Sequence, residues 1–93
     1  MEANARVHVI IHGRVQGVCF RLETQKAARQ CGAVGWVRNL PDGNVEAMME
    51  GPREAVEVLL NWCGHGPRLA RVDKVDITRE AYIGEYETFE VTY

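Results

Sequence analysis

The chain changes its hydrophobic period abruptly across one short glycine-bearing segment, and this change narrows the choice of fold more than any other feature. Val7, Val9 and Ile11 alternate with His8, Ile10 and His12, the period of a strand with one strongly apolar face. From Phe20 the spacing turns helical. Phe20, Thr24, Ala27, Ala28 and Cys31 recur on one side, while Glu23, Lys26, Arg29 and Gln30 lie mostly elsewhere on the wheel. Between them runs Gly13-Arg14-Val15-Gln16-Gly17-Val18-Cys19, a loop whose two glycines admit backbone conformations forbidden to other residues. A strand that feeds such a loop straight into a helix start sets free N–H groups and the positive end of the helix dipole where an anion is favoured.

Downstream, Gly32 is a natural helix stop, and a second strand is expected from Val34 to Leu40. Pro41-Asp42-Gly43 is a turn with a mechanism, since Pro fixes φ and Asp can bond the local backbone. The partner strand is expected from Asn44 to Glu50, with Val45, Ala47 and Met49 on one face and Glu46, Met48 and Glu50 on the other. Gly51-Pro52 opens a second helix with Pro52 in its first turn. Ala55, Val56, Leu59, Leu60 and Cys63 form its buried stripe, and Gly64 closes it. Arg71 to Arg79 reads as a strand in which Val72 and Val75 are out of phase, the mark of a bulge or a late start. Phe89, Val91 and Tyr93 alternate in a last strand that reaches the C-terminus.

This order of elements predicts an α+β fold. It is a ferredoxin-like α/β sandwich, βαββαβ plus a short extra strand, with an antiparallel sheet and two helices on one face. Ninety-three residues suit one domain spanning 1–93. The net charge of -2 lacks the basic footprint of a nucleic-acid binder. The N-terminal Met1-Glu2-Ala3-Asn4-Ala5-Arg6 does not resemble a signal peptide, and the apolar run Val7 to Ile11 is too short to cross a bilayer. A cytoplasmic location is therefore expected. Cys19, Cys31 and Cys63 form an odd set without C-x-x-C spacing, which fits reduced thiols. His8, His12 and His65 do not assemble a metal site: His8 and His12 share a strand face, but no third ligand is evident. Trp36, Trp62 and Phe20 read as packing residues.

Two side chains carry a choice between functional and structural readings. Arg21 falls in the first helical turn, where the dipole is already positive and cations are disfavoured. An anion between its guanidinium and the loop amides would account for it, because guanidinium grips phosphate oxygens through two parallel bonds. A surface arginine at a frayed helix start accounts for it equally on spacing alone. Asn39 shares a strand face with Gly35 and Val37, opposite Trp36 and Arg38, just before the Pro-Asp-Gly turn. An asparagine there serves as a turn residue or holds a water near the sheet. Arg14 either steers an anion or is a solvated loop residue.

The segment Gly13-Arg14-Val15-Gln16-Gly17-Val18-Cys19-Phe20-Arg21 resembles the acylphosphatase signature G-R-V-Q-G-V-x-F-R. Gly35-Trp36-Val37-Arg38-Asn39-Leu40-Pro41-Asp42-Gly43-Asn44-Val45-Glu46 is similar to that family's second motif, G-x-V-x-N-x-x-D-G-x-V-E. The likeness continues through Gly51-Pro52 to the aromatic C-terminal strand. It implies hydrolysis of a small acyl phosphate to a carboxylate and inorganic phosphate, with no metal, cofactor or phosphoenzyme. By this resemblance Arg21 binds the phosphoryl group and Asn39 orients the attacking water. Backbone amides of Gln16, Gly17, Val18, Cys19 and Phe20 form the phosphate cradle.

The chemistry agrees with the residues at hand. Phosphoryl transfer needs charge stabilisation and in-line positioning more than covalent help. A carboxylate leaving group, of conjugate-acid pKa about 4, departs without a general acid. Inorganic phosphate, as product, is expected to inhibit competitively, and nothing demands more than a monomer or a membrane partner. Cys19 is separated from Arg21 only by Phe20, which is not the spacing by which tyrosine phosphatases set a nucleophilic cysteine before their arginine. It reads as a neighbour of the site. Two other readings compete: a ferredoxin-like module that binds an anion without chemistry, and a relative of the leading domain of hydrogenase-maturation carbamoyltransferases, whose zinc-binding cysteine pairs this chain lacks.

Overall fold

The computed structural model describes residues 3–93. Met1 and Glu2, part of the N-terminal stretch read above, lie outside the described residues. The elements run β1 (Asn4–Arg14), α1 (Phe20–Cys31), β2 (Val34–Asn39), β3 (Val45–Pro52), α2 (Arg53–Cys63), β4 (Arg71–Glu80) and β5 (Phe89–Val91). The sheet has the order β4-β1-β3-β2-β5, and both helices pack on one face of it. This is the expected ferredoxin-like sandwich.

The strand periods explain the layering. Val7, Val9 and Ile11 of β1 meet Val45, Ala47 and Met49 of β3 on the helix-facing side, all of them fully buried. Phe20 and Ala28 from α1 and Val56, Leu59 and Cys63 from α2 close the other half of the core. Each large apolar side chain removed from water in this way contributes roughly 1.5–3 kcal/mol. Thr24, buried among them, satisfies its hydroxyl on the Phe20 carbonyl at 2.7 Å.

The β2–β3 hairpin has the expected register, from Val34 opposite Glu50 to Asn39 opposite Val45. At its turn the Asn44 amide donates to Asp42 Oδ1 at 3.0 Å, the local bond anticipated for that aspartate. The out-of-phase valines of β4 also have their cause. His12 pairs with Lys74 but Gly13 pairs with Val72, which leaves Asp73 as the extra residue of a bulge. The bulge brings Val72 and Val75 to the same side, where both are half-buried against the core. Gly13 is required there: its φ is +132°, and a Cβ would lie 2.1 Å from the Arg71 carbonyl oxygen.

Three expectations need correction. The sheet is not wholly antiparallel, because β5 pairs in parallel with β2. The last strand does not reach the C-terminus: β5 spans Phe89–Val91, and Tyr93 is turned out of the sheet. Thr92 still donates its amide to the Val37 carbonyl at 2.8 Å, so the chain is held until one residue before its end. Pro52 occupies the cap of α2 rather than its first turn.

The opposite face of the sheet is partly covered. Glu50 is fully buried, and its carboxylate accepts the amides of Ile83 (3.1 Å), Gly84 (3.2 Å) and Glu85 (2.9 Å) and Arg6 Nη1 (3.0 Å). Next to it, Trp36 Nε1–H donates to the Tyr86 hydroxyl at 3.0 Å. The connection between β4 and β5 is thereby fastened over β1, β3 and β2, and it delivers β5 to the sheet edge.

Candidate active site

The Gly13–Arg21 segment leaves β1 at the bulge and enters α1 through Cys19, which caps the helix in the left-handed region with φ 63° and ψ 23°. Among the described residues it is the only non-glycine with positive φ. An L-residue there is strained by roughly 1–2 kcal/mol. The conformation turns the chain sharply at the helix start. No side chain caps α1, so its first-turn amides are left open toward the loop.

Arg21 follows in the first turn, half-buried. It is steered from the far end of the chain. Its Nη1 donates to the Thr92 carbonyl at 3.3 Å, and its guanidinium lies 4.7 Å from the Tyr93 ring centroid. Among the described residues no carboxylate lies within ion-pair distance of Arg21, whereas Arg6, Arg38, Arg71 and Arg79 each have one. Arg21 is thus an oriented cation with a carbonyl and an aromatic face on one side and its charge uncompensated.

Asn39, the last residue of β2, lines the same pocket as Arg21. The pocket has a volume of about 360 Å³. Gly17, Cys19 and Phe20 of the loop also line it, with Val15 and Val91 deeper and Leu22 and Tyr93 at the mouth. Among the described residues, Arg21 carries the single charged side chain of this lining.

Of the residues expected in the site, Arg21, Asn39, Gly17, Cys19 and Phe20 are therefore brought together. The side chains of Val18 and Gln16 are not. Val18 is buried in the core, and any part it takes in a cradle is through its backbone. Gln16 turns the other way: its Nε2 donates to the carbonyls of Leu40 (2.7 Å) and Asn44 (2.8 Å), the two sides of the β2–β3 turn. One amide group thus ties the loop to the strand end that carries Asn39. Thr92, Tyr93 and Leu22 were not expected in the site from the sequence, where Tyr93 read as a strand residue. No spacing rule connects a C-terminal dipeptide to a helix start.

The remaining expectations have plain outcomes. Phe20 packs against Trp62 with ring centroids 5.5 Å apart. His8 pairs with Glu46 at 2.7 Å and His12 with Asp76 at 2.8 Å. All three cysteines are free, and burial pushes the Cys63 thiol up to about 12. Arg14 is exposed.

A glycine-bearing loop that meets an uncapped helix N-terminus, with the Arg21 guanidinium beside it on a ferredoxin-like sandwich, defines a small α+β protein with a pocket suited to an anion. The acylphosphatase family model matches residues 7–91. An acylphosphatase of Methylococcus capsulatus is 51% identical over 86 residues, covering 92% of this chain and 94% of that protein. One of Syntrophus aciditrophicus is 49% identical over 88 residues, covering 95% and 92%. The crystal structure of acylphosphatase from Bacillus subtilis superposes with a TM-score of 0.91 at 31% identity, covering 96% of this chain and 99% of that one. The chain belongs to the acylphosphatase family, a family of hydrolases.

Proposed function

We propose that the chain hydrolyses acyl phosphates at the Arg21–Asn39 pocket, with Arg21 and the backbone amides of Gln16 to Phe20 holding the phosphoryl group and Asn39 orienting the water. The observation that carries this reading is the convergence of an unpaired, oriented guanidinium and the Asn39 amide on one pocket at a helix N-terminus. The water oxygen bonds to phosphorus as the bond from phosphorus to the carboxyl oxygen breaks, and the bonding pair leaves with the carboxylate. Both protons of the water end on the phosphate product, one of them lost to solvent at neutral pH. Charge spreads over the equatorial phosphoryl oxygens in the transition state, where a preformed donor set is worth most. The leaving carboxylate needs no proton.

A passive anion-binding module gives the Asn39 amide nothing to do, and the relatives above carry an enzyme's name. We read the chain as a single domain acting as a cytoplasmic monomer, inhibited competitively by inorganic phosphate. The test is hydrolysis of benzoyl phosphate beside a phosphomonoester. Turnover of the first alone is expected, and Arg21→Ala and Asn39→Ala should each lower kcat by about two orders of magnitude. An Asn39→Ala enzyme as active as the parent would remove the water-orienting role.

A further inference from the structure

We propose that Gln25 is a positioning residue of the site: it holds the edge strand β5 against α1, and through that strand it sets the aim of the Arg21 guanidinium. The proposal rests on the acyl phosphate reading of the site and adds to it a residue that lies outside the pocket.

The first argument is the arrangement of one helix face. Arg21, Gln25 and Arg29 recur at four-residue intervals, so their side chains lie one above another along α1. All three donate to carbonyls of the C-terminal segment. Arg21 Nη1 reaches Thr92 at 3.3 Å, Gln25 Nε2 reaches Phe89 at 3.0 Å, and Arg29 Nη2 reaches Phe89 at 3.5 Å. Gln25 makes the shortest of these bonds and is half-buried, whereas Arg29 is exposed.

The second argument is where the Phe89 carbonyl points. β5 is an edge strand of three residues whose one strand neighbour is β2. The Thr88 carbonyl accepts the Gly35 amide and the Thr92 amide donates to the Val37 carbonyl, both toward β2. Residues of the opposite parity turn their carbonyls to the free edge, and Phe89 is one of them. A sheet edge ordinarily presents such groups unpaired. Here Gln25 takes the carbonyl and ties the edge to the helix.

The third argument is what this bond adds to burial. The Phe89 side chain is buried, but apolar burial is non-directional and does not orient the strand that follows. The Gln25 bond is directional and fixes α1 to β5 one helical turn from Arg21. Without it, the placement of Thr92 against α1 rests on Arg21 itself and on the longer Arg29 bond. Gln25 does not line the pocket, so its substitution reaches the phosphoryl group only through the groups it positions.

Gln25→Met keeps the length of the side chain and removes the donor. KM for benzoyl phosphate and the inhibition constant of inorganic phosphate should rise together by about two- to fivefold, with kcat near the parent value. The Thr92 amide should exchange with solvent severalfold faster. Gln25→Lys restores a donor of sufficient reach and should return both constants toward the parent values, in moderate salt that screens its added charge. Tyr93→Ala separates an action through Arg21 from a general loosening. In the Gln25→Met background it should raise the phosphate inhibition constant by a smaller factor than in the parent, because the strand end is already displaced. Factors that simply multiply, parental KM and phosphate inhibition in Gln25→Met, or an unaltered Thr92 exchange rate would each overturn the positioning role while leaving the activity intact. A parent that hydrolyses no benzoyl phosphate would overturn the activity reading and the role of Gln25 in it.

Discussion

The Arg21 guanidinium lies 4.7 Å from the centroid of the Tyr93 ring, a contact between the first turn of a helix and the last residue of the sequence. The same guanidinium donates to the carbonyl of Thr92, so one C-terminal dipeptide sets both its plane and its direction. A side chain as flexible as arginine loses much rotamer freedom when it grips an anion, and orienting it beforehand reduces that cost.

Tyr93→Ala therefore loosens Arg21 without removing it. A cation–π contact at an exposed site contributes roughly 0.5–1 kcal/mol, which corresponds to about a two- to fivefold change in binding. We expect KM for benzoyl phosphate and the inhibition constant of inorganic phosphate to rise together by that factor, with little change in kcat. Unchanged phosphate inhibition in the variant would mean that the ring contributes nothing to the grip.

Gln16 tests how far the loop and Asn39 act as one unit. Its Nε2 bonds the carbonyls of Leu40 and Asn44, and Gln16→Ala removes both bonds. Stability should fall by about 1–2 kcal/mol. If the bonds also set the water's position, kcat should fall about tenfold or more while phosphate inhibition moves little, since small misplacements of reacting groups are costly. Gln16→Glu should be worse than alanine, because a carboxylate would face two carbonyl oxygens. A loss of stability with parental kcat would reduce Gln16 to a structural latch.

Cys19 sits at φ 63°, where its side chain is a burden rather than a requirement. Cys19→Ser should retain most of the activity; near-complete loss would reinstate it as a nucleophile. Cys19→Gly should match the parent in turnover and gain roughly 0.5–1 kcal/mol in chemical denaturation, the relieved strain being partly offset by a freer unfolded chain. A destabilised glycine variant would show that the left-handed cap carries no strain.

Glu50 gives the fold a defined acid sensitivity. Burial pushes its carboxyl up, but the Ile83 amide, the Arg6 guanidinium and the amides of Glu85 and Gly84 outweigh it and hold the group below its ordinary 4.5. A carboxyl depressed in the native state stabilises fully above its unfolded pKa, and that contribution is lost as pH falls through the lower native value. Stability measured by urea unfolding should therefore decline below about pH 4.5. Glu50→Gln should cost roughly 2–4 kcal/mol at pH 7 and flatten this decline. What slope remains belongs to groups such as Glu46, where burial raises the carboxyl but bonds to His8 and Arg38 bring it down. An acid limb as steep in Glu50→Gln as in the parent would exclude Glu50 as its source.

Much of the molecule was legible in its sequence, for local reasons. The alternation of Val7, Val9 and Ile11 and the helical spacing from Phe20 are properties of short segments, and they located β1, α1 and the loop between them. The Pro41-Asp42-Gly43 turn fixed the β2–β3 register, because a turn pins the residues on either side of it. The misphased Val72 and Val75 signalled a bulge or a late start, and the register shift shows that the bulge is the cause. The charge of Arg21 at a helix start left an anion site and a surface arginine equally open on spacing alone, and it was the resemblance of the two motifs that singled out Asn39 beside it.

What the sequence left undecided depends on contacts between distant segments. Alternation put Met48 and Glu50 on the face of β3 away from Val45, Ala47 and Met49, and both are buried there because the β4–β5 connection folds over that face and turns its amides to Glu50. The same connection sets β5 parallel to β2, a pairing no local period could announce. Gln16 and Val18 differ in use although they stand two residues apart, since only the finished fold decides which carbonyls or core atoms a loop side chain meets. Local periodicity therefore determined the elements and the place of the Gly13–Arg21 loop at a helix start. Tertiary closure decided how Arg21 is aimed, because Thr92 and Tyr93 reach it only after the sheet has been completed.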